Sequence, residues 1–470
     1  LPLVSDGLPV SVCIEVDSGF EGPARYALRQ LLIPLNFEPQ WVERSRLTQG
    51  IYYGTESTRG DEPGIVNLAF DHEAPAYFSS GEAYDAQSAL WFESGGGLIP
   101  ALFGTQGGTP DLVASTFMWL TGWHELVEPT RDEHGRQPYA ASLAARLEVA
   151  LRPPVDDYRA ELARKLRSAG IQVQPRKWSG RDWAFCPTHD VDYLRKWRPG
   201  ILYREFVQNL LANRRGVAFH ERRRRALNAL RQVRGDDPYR TAIRRMHEEV
   251  KKRSGTATYF LKAGGTDPRD VPYALGNRFL QERVAELMAS GFEVGLHPSY
   301  RTPIDSEMMA TELHRLRKAI GTDVKAVRQH YLRFDPMRTP AIHASLGFQV
   351  DSTLGFADHE GFRRGTCLPF QLYDLEAGEP LSIWEMPLAA MDSALFNRRG
   401  LDVASAVRAS KRLSAICRRH GGVFVGLWHN ILGDDLEAPG WERHFLLTLD
   451  HAAQHGAHIS ALSQALAGWK

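Results

Sequence analysis

From residue 256 onward, short apolar runs alternate with helical stripes. Ala257-Thr258-Tyr259-Phe260-Leu261 is rich in β-favouring residues and reads as a buried strand. Phe279, Leu280, Val284, Leu287 and Met288 then fall on one helical face, and Gly291 suits the end of that helix. Phe292 to Leu296 reads as the next strand, and Ser306 as the cap of a helix striped by Met309, Leu313, Leu316 and Ile320. Lys325-Ala326-Val327, a short helix from Pro340 to Leu346, Phe348-Gln349-Val350, a longer helix from Val403 to Arg419 and Val423 to Trp428 continue the alternation. Earlier, Trp183-Ala184-Phe185 reads as a buried strand, with Thr188-His189-Asp190-Val191-Asp192 just past its end. Strand followed by helix, repeated, predicts a parallel sheet or barrel.

The first 175 residues are patterned differently. Val10 to Val16 alternates like a strand, Ile51-Tyr52-Tyr53 and Ile65 to Leu68 are short β-like pieces, and Gly95-Gly96-Gly97 and Gly107-Gly108 mark loops. Asp111 to Leu126 is helical, with Phe117, Trp119, Leu120 and Trp123 as core aromatics. Arg131 to Arg136 reads as a charged loop in which His134 is a candidate ligand but reads first as a solvated loop histidine. Pro153-Pro154 opens a helix whose Tyr158, Leu162 and Leu166 share a face. The expected organisation is α/β: an accessory mixed α+β domain over 1–175, and a (β/α) barrel over 176–470 with a basic helical insertion at about 195–253.

Composition narrows the function. The 470 residues are 43% hydrophobic and 24% charged, with formal net charge +1, so there is no global signal for polyanion binding. The charge is uneven, however. Residues 195–253 carry 18 Lys or Arg against 6 Asp or Glu, interleaved with Ile201, Leu202, Phe206, Leu210, Leu211, Leu227, Leu230 and Val233. That pattern reads as amphipathic helices with a solvated basic face, or as a surface for anionic lipid, a lipid-linked sugar or a polyanionic glycan. No helix-turn-helix, zinc-finger or aromatic RNA-binding signature accompanies the charge, so nucleic acid is not expected. Cys13, Cys186, Cys367 and Cys417 are scattered without a Cys-x-x-Cys, which argues for a reduced compartment rather than a disulfide framework. There is no run of about 18 apolar residues. Leu1 to Asp6 lacks the basic start and apolar core of a signal peptide. The expected location is cytoplasmic, with peripheral contact to the inner membrane face.

Candidate chemistry follows from position. Asp190, Asp192, His297, His330, Asp351 and His429 all lie at or just after the ends of expected strands, and in a βα barrel those ends converge on one rim. One Asp with two His suits a divalent metal with open positions. A spare carboxylate and a spare His would remain as base and acid.

Three of these stretches resemble the motifs of the NodB-like polysaccharide deacetylases, relatives of carbohydrate esterase family four. Thr188-His189-Asp190-Val191-Asp192 resembles the first, Gly295-Leu296-His297-Pro298-Ser299 the second, and Gly426-Leu427-Trp428-His429-Asn430 the last. Arg328-Gln329-His330-Tyr331-Leu332-Arg333 matches a variant tied to surface-polysaccharide synthesis. The resemblance covers about 180–435 and implies a distorted barrel with fewer than eight βα units. It implies a hydrolase that removes an N-acyl, notably N-acetyl, group from a sugar in a polysaccharide or its lipid- or nucleotide-linked precursor. Asp190 would be the base, His429 the acid, and Asp192 and His297 ligands of one divalent ion, Zn2+ before Co2+, Ni2+ or Fe2+. The second motif departs from the pattern, with Arg301 where the family has another His. His330 is the first candidate to replace it and His359 the second. Arg328 and Arg333 compete to hold Asp190. Tyr331, Asp351, His359, Arg363 and Trp428 are the candidates for contacting substrate, and Trp384 is a further stacking candidate. The alternatives are a catalytically inactive glycan-binding or assembly module, and a deformylase or ureide-type amidohydrolase.

Overall fold

The structure is a computed structural model that describes residues 7–55, 62–95, 97–203, 207, 218–234 and 237–470. Leu1 to Asp6, Gly96, Phe206, Leu210 and Leu211 therefore lie outside the described residues.

The amino-terminal part is more regular than the pattern implied. Strands β1 (Leu8–Glu15), β2 (Phe37–Trp41), β3 (Gly50–Gly54) and β4 (Ile65–Ala69) form one wholly parallel sheet in the order β2-β1-β3-β4. A separate antiparallel hairpin joins β5 (Leu90–Ser94) to β6 (Gly97–Ala101). The helix Leu112–Thr121 is buried at every position. Its cap is Asp111, which accepts from the backbone N–H groups of Val113 and Ala114 and from the Tyr53 hydroxyl.

Ten strands follow: β7 (Ala184–Val191), β8 (Thr258–Leu261), β9 (Glu293–Leu296), β10 (Ala326–Val327), β11 (Val350–Asp351), β12 (Phe370–Asp374), β13 (Glu379–Glu385), β14 (Leu388–Met391), β15 (Val423–Leu427) and β16 (His458–Ile459). They form one curled sheet in the order β12-β13-β11-β10-β9-β8-β7-β15-β14, with β16 added to β7. Every ladder is parallel except the β12–β13 edge pair. The path ends at β14 without a ladder back to β13, and β11 leads to β13 through the β12 hairpin instead of a helix. This is the expected distorted barrel.

The central strands are buried on both faces, as a parallel sheet covered by helices requires. The aromatic side chains carry much of that packing, for example Phe185 stacked on Phe424 at 5.4 Å between neighbouring strands. Two expectations shift by local chemistry. Strand β7 runs through the Thr188–Val191 stretch, so Asp190 sits within its last turn of pleat, not past it. The helix Ser306–Ile320 is capped by Asp305, whose carboxylate accepts from the Met308 N–H, and not by Ser306.

The two sheets share one continuous apolar core. The Tyr26 hydroxyl donates to the Gln371 carbonyl at 2.6 Å, and Phe117 meets Tyr373 edge-on at 5.3 Å. Gly122, in the left-handed region at φ 69°, lets the Arg364 guanidinium pass where any Cβ would collide with it. No described helix is long and apolar enough to cross a membrane.

Candidate metal and hydrolytic site

The carboxy-terminal strand ends deliver the chemistry. His297 directly follows β9, His330 lies just beyond β10, and His429 just beyond β15. With Asp190 and Asp192 at the end of β7, they line a single pocket of about 460 Å3. Its other walls include Tyr193, Tyr331, Met391, Asn430 and Trp441.

Asp192, His297 and His330 present ligand atoms that all lie within 4.8 Å of one another. The ring orientation of each histidine is fixed from behind. His297 Nδ1 is 2.7 Å from the Arg328 carbonyl oxygen, and His330 Nδ1 is 2.8 Å from Asp270 Oδ1. Both acceptors call for a proton on Nδ1, which leaves each Nε2 lone pair facing the pocket. Burial lowers the His330 pKa although Asp270 raises it, so the ring is neutral, as a ligand must be.

Asp192 Oδ1 is a buried atom without a hydrogen-bond partner. His297 Nε2 and His330 Nε2 stand 3.6 Å from it and Lys262 Nζ 3.8 Å, all beyond hydrogen-bonding distance. Burial opposes the Asp192 charge, but the adjacent His297, then Lys262, and the facing His330 and His429 rings hold its carboxyl well below the usual carboxylate range. An ionised carboxylate with an orphaned oxygen, facing two imidazole lone pairs, fits a divalent cation. The donor set of one oxygen and two nitrogens suits Zn2+ or a neighbouring first-row ion.

Asp190 sits beside this cluster. Its Oδ2 is 3.6 Å from His297 Nε2, and its Oδ1 accepts from Arg328 Nη1 at 3.2 Å. Arg328 is fully buried and clamped in turn by Thr188 Oγ1 at 2.6 Å, the Ser352 carbonyl and the Ser352 hydroxyl, both at 2.8 Å. Of the two competing arginines, Arg328 is thus the one that reaches Asp190. Arg333 instead bonds the His134 carbonyl at 2.9 Å and the Tyr300 carbonyl, with its guanidinium over the Tyr300 ring.

His429 closes the other side of the pocket. Its Nδ1 is 2.7 Å from Asp392 Oδ1, and its Nε2 is 3.9 Å from Asp192 Oδ2. Burial works against the charged ring, but Asp392, in charge and in hydrogen bond, and then Asp192 and Asp190 raise its pKa to about 10. The imidazolium at neutral pH is a proton donor facing the cluster.

Several expected contacts fall elsewhere. Arg301 turns to solvent and pairs with Asp267 at 3.3 Å. His359 stacks on Tyr139 at 3.8 Å and is bonded through Nδ1 to the Glu360 carbonyl, away from the ligand cluster. Asp351 is buried against His343 at 2.8 Å and the Thr353 hydroxyl, behind the rim rather than in the pocket. Arg363 is buried in a bidentate pair with Glu125, at 2.8 and 2.7 Å. Trp428 points into the core, donating Nε1–H to His444 Nδ1, and Trp384 packs near Trp469. Neither can stack on a sugar from there. Tyr331 alone of the named substrate candidates lines the pocket.

The structure also adds residues that pattern reading passed over. Asp392 directly follows β14, so its signal was the same strand-end position as the others. Asp270 lies in Asp267-Pro268-Arg269-Asp270, a stretch that looks like any turn. Arg136 comes from the amino-terminal part, yet it lines the pocket and donates to the Tyr331 carbonyl at 2.7 Å. His134, expected in solvent, packs against the Tyr331 ring at 4.5 Å and reaches the Tyr300 hydroxyl at 3.2 Å.

Among known proteins, the model of a family of unknown function (DUF7033) matches residues 37–170. No curated protein matches the sequence. Among solved structures, the chain is similar to a protein of Mycobacterium smegmatis assigned as a polysaccharide deacetylase, with 17% identity, a TM-score of 0.41, and 61% of this chain and 90% of that one covered. It is also similar to a CE4 family pseudoenzyme from Bacillus anthracis, with 11% identity, a TM-score of 0.31, and 62% and 67% covered. A family 4 carbohydrate esterase from Streptomyces lividans, in complex with acetate, aligns with 16% identity, a TM-score of 0.28, and 48% and 86% covered.

Proposed function

We propose that the protein is a metal-dependent hydrolase that removes an N-acyl group, chiefly N-acetyl, from a sugar of a polysaccharide or its precursor. The observation that carries this reading is the convergence of Asp192, His297 and His330 in one pocket, with Asp190 and His429 on either side. The motif resemblance supplies the substrate class.

A divalent ion held by those three residues would polarise the acyl oxygen and acidify a water molecule. The protein's own groups do the rest. Asp190, aimed by Arg328, takes the proton from the attacking water. The water oxygen bonds to the acyl carbon, and the C–N bond breaks. His429, charged through Asp392, gives its Nε2 proton to the departing amine, which an amide needs because an unprotonated amine is a poor leaving group. The products are a free amino sugar and the carboxylic acid. Residues 1–175 act in this reading as an accessory unit that reaches the pocket through Arg136.

The alternative of an inactive binding module rested on Arg301 in place of a ligand histidine. His330 supports the enzyme reading over that alternative, because it offers Nε2 from the same rim and is braced by Asp270. Elemental analysis of protein purified without chelator tests the assignment, wild type beside His330→Ala. About one divalent ion per chain in the wild type, lost in the variant, together with release of acetate from an N-acetylated glycan, is the expected result. A wild type that stays metal-free after metal is added back would favour the binding module.

A further inference from the structure

Exposed apolar side chains are concentrated in one place. Of the eleven large apolar residues exposed among the described residues, six lie between positions 203 and 233. Four of these are on the helix Phe219–Arg234: Phe219 is 73% exposed, Leu227 48%, Leu230 41% and Val233 44%. At about 100° per residue they share an arc of about 120°, so they form one stripe along the helix. Arg224 and Arg231 are exposed beside that stripe, and Arg223 is exposed within it, one turn after Phe219.

We propose that this helix docks the protein on an anionic lipid bilayer surface, lying flat with the apolar stripe among the acyl chains and the arginines at the headgroups. Water is a poor solvent for apolar side chains gathered on one face in this way, which is why soluble surfaces keep such patches small. A protein partner would cover the stripe equally well. The flanking cations decide for lipid, since a guanidinium on a long stem can extend from a half-inserted helix to a phosphate. The local charge, 18 basic against 6 acidic residues over 195–253 in a chain of net charge +1, is complementary to anionic headgroups. The next helix, Pro238–Lys252, is also amphipathic in sequence, but its Tyr239, Ala242, Ile243, Met246 and Val250 are buried against the barrel. Its neighbour's stripe is the one left open.

The docking helix is fastened to the pocket wall. Ala229 is buried, and Gln232 Nε2 donates to Asp434 Oδ1 at 3.3 Å. Asp434, buried in an ion pair with Lys196, follows the turn Asn430–Gly433, whose Asn430 and Ile431 line the pocket. A bilayer contact would thus bring the pocket wall to the membrane surface, where a lipid-linked sugar is presented. The contact itself does not depend on the proposed chemistry.

Flotation of the full chain with vesicles tests this, using phosphatidylcholine alone and phosphatidylcholine mixed with phosphatidylglycerol. The wild type is expected to float with the mixed vesicles, less so as salt rises, and to stay down with the neutral ones. Leu227→Asp/Leu230→Asp, and separately Arg223→Glu/Arg231→Glu, should each lower the bound fraction by at least about tenfold. Metal content and circular dichroism should be unchanged in both variants, because all four side chains point outward. A wild type that floats with neither composition, or floats equally with both, overturns the proposal. So does a concentration-dependent dimer that the leucine variant dissociates, which would make the stripe an interface between copies.

Discussion

Two buried clusters of charge are built from similar residues but are satisfied differently. One joins Glu125 to Arg363 and Arg364 between the two sheets. The other gathers Asp190, Asp192, Arg328 and the three histidines at the barrel rim. Between the sheets, the Glu125 carboxylate is held by the Arg363 and Arg364 guanidinium groups. At the rim, Asp192 Oδ1 has no partner, two imidazoles turn a lone pair toward it, and an open pocket faces all of them. Burial of charge alone therefore does not mark the candidate site. A carboxylate oxygen left without a partner on the wall of a pocket does.

Substitutions should separate the two clusters cleanly. Asp190→Asn and His429→Ala should each lower turnover by about 10^2 to 10^4 with little change in Tm, because they remove a proton carrier and leave the packing. Release of acetate from an N-acetylated glycan measures the loss, because only an amine leaving group needs the proton from His429. Near-wild-type turnover in either variant would sink the role assignment. Glu125→Ala should do the reverse. It leaves two buried guanidinium groups without their carboxylate and should cost about 3–5 kcal/mol in urea unfolding while metal content holds.

The same carboxylate makes a pH prediction. Burial opposes its charge, yet Arg363 and then Arg364 hold Glu125 well below the usual carboxylate range. A depressed folded-state pKa contributes stability that is fully present above the unfolded value of about 4.3 and is lost progressively as pH falls from there through the depressed folded-state value. Glu125→Gln should therefore flatten the acid limb of the stability curve. An unchanged acid limb would place the pH-sensitive group elsewhere.

This contrast also explains what the sequence could show. The βα alternation is periodic in single residues, so the barrel and its rim were legible, along with Asp190, Asp192, His297, His330 and His429 on it. Partner choice was not. Arg363 sits in a basic turn, Gly361-Phe362-Arg363-Arg364-Gly365, whose sequence gives no hint of Glu125 more than two hundred residues away. Arg328 and Arg333 flank the same histidine, and only the fold shows which one turns inward to Asp190. Trp428 precedes a rim histidine, but strand alternation points the two in opposite directions, one to the core and one to the pocket.

Asp392 sharpens the comparison from the active side. It is buried like Glu125, but it acts by keeping a proton on His429 rather than by holding the fold together. Removing its charge in Asp392→Asn should lower the His429 pKa from about 10. The basic limb of the kcat/KM profile should then move to lower pH, and turnover at neutral pH should fall by roughly 10- to 100-fold. A drop in turnover without a shift of the limb would mean that Asp392 only positions the ring.

The smallest effect is expected where the two regions meet at the pocket. Arg136 is tied to Asp132 at 2.7 Å and donates to the Tyr331 carbonyl. Tyr331 and Leu332 both sit in the left-handed region, at φ 62° and 54°, a conformation that side chains disfavour and that needs support from around it. Arg136 and His134 provide that support from the amino-terminal part, which places Tyr331 over the pocket. Arg136→Ala removes one hydrogen bond from a half-buried site, worth about 1 kcal/mol. The expected consequence is a KM several-fold higher with kcat and metal content nearly unchanged. Equal loss in kcat and kcat/KM would instead put Arg136 among the groups that act on the transition state, and would make the accessory region part of the chemistry itself.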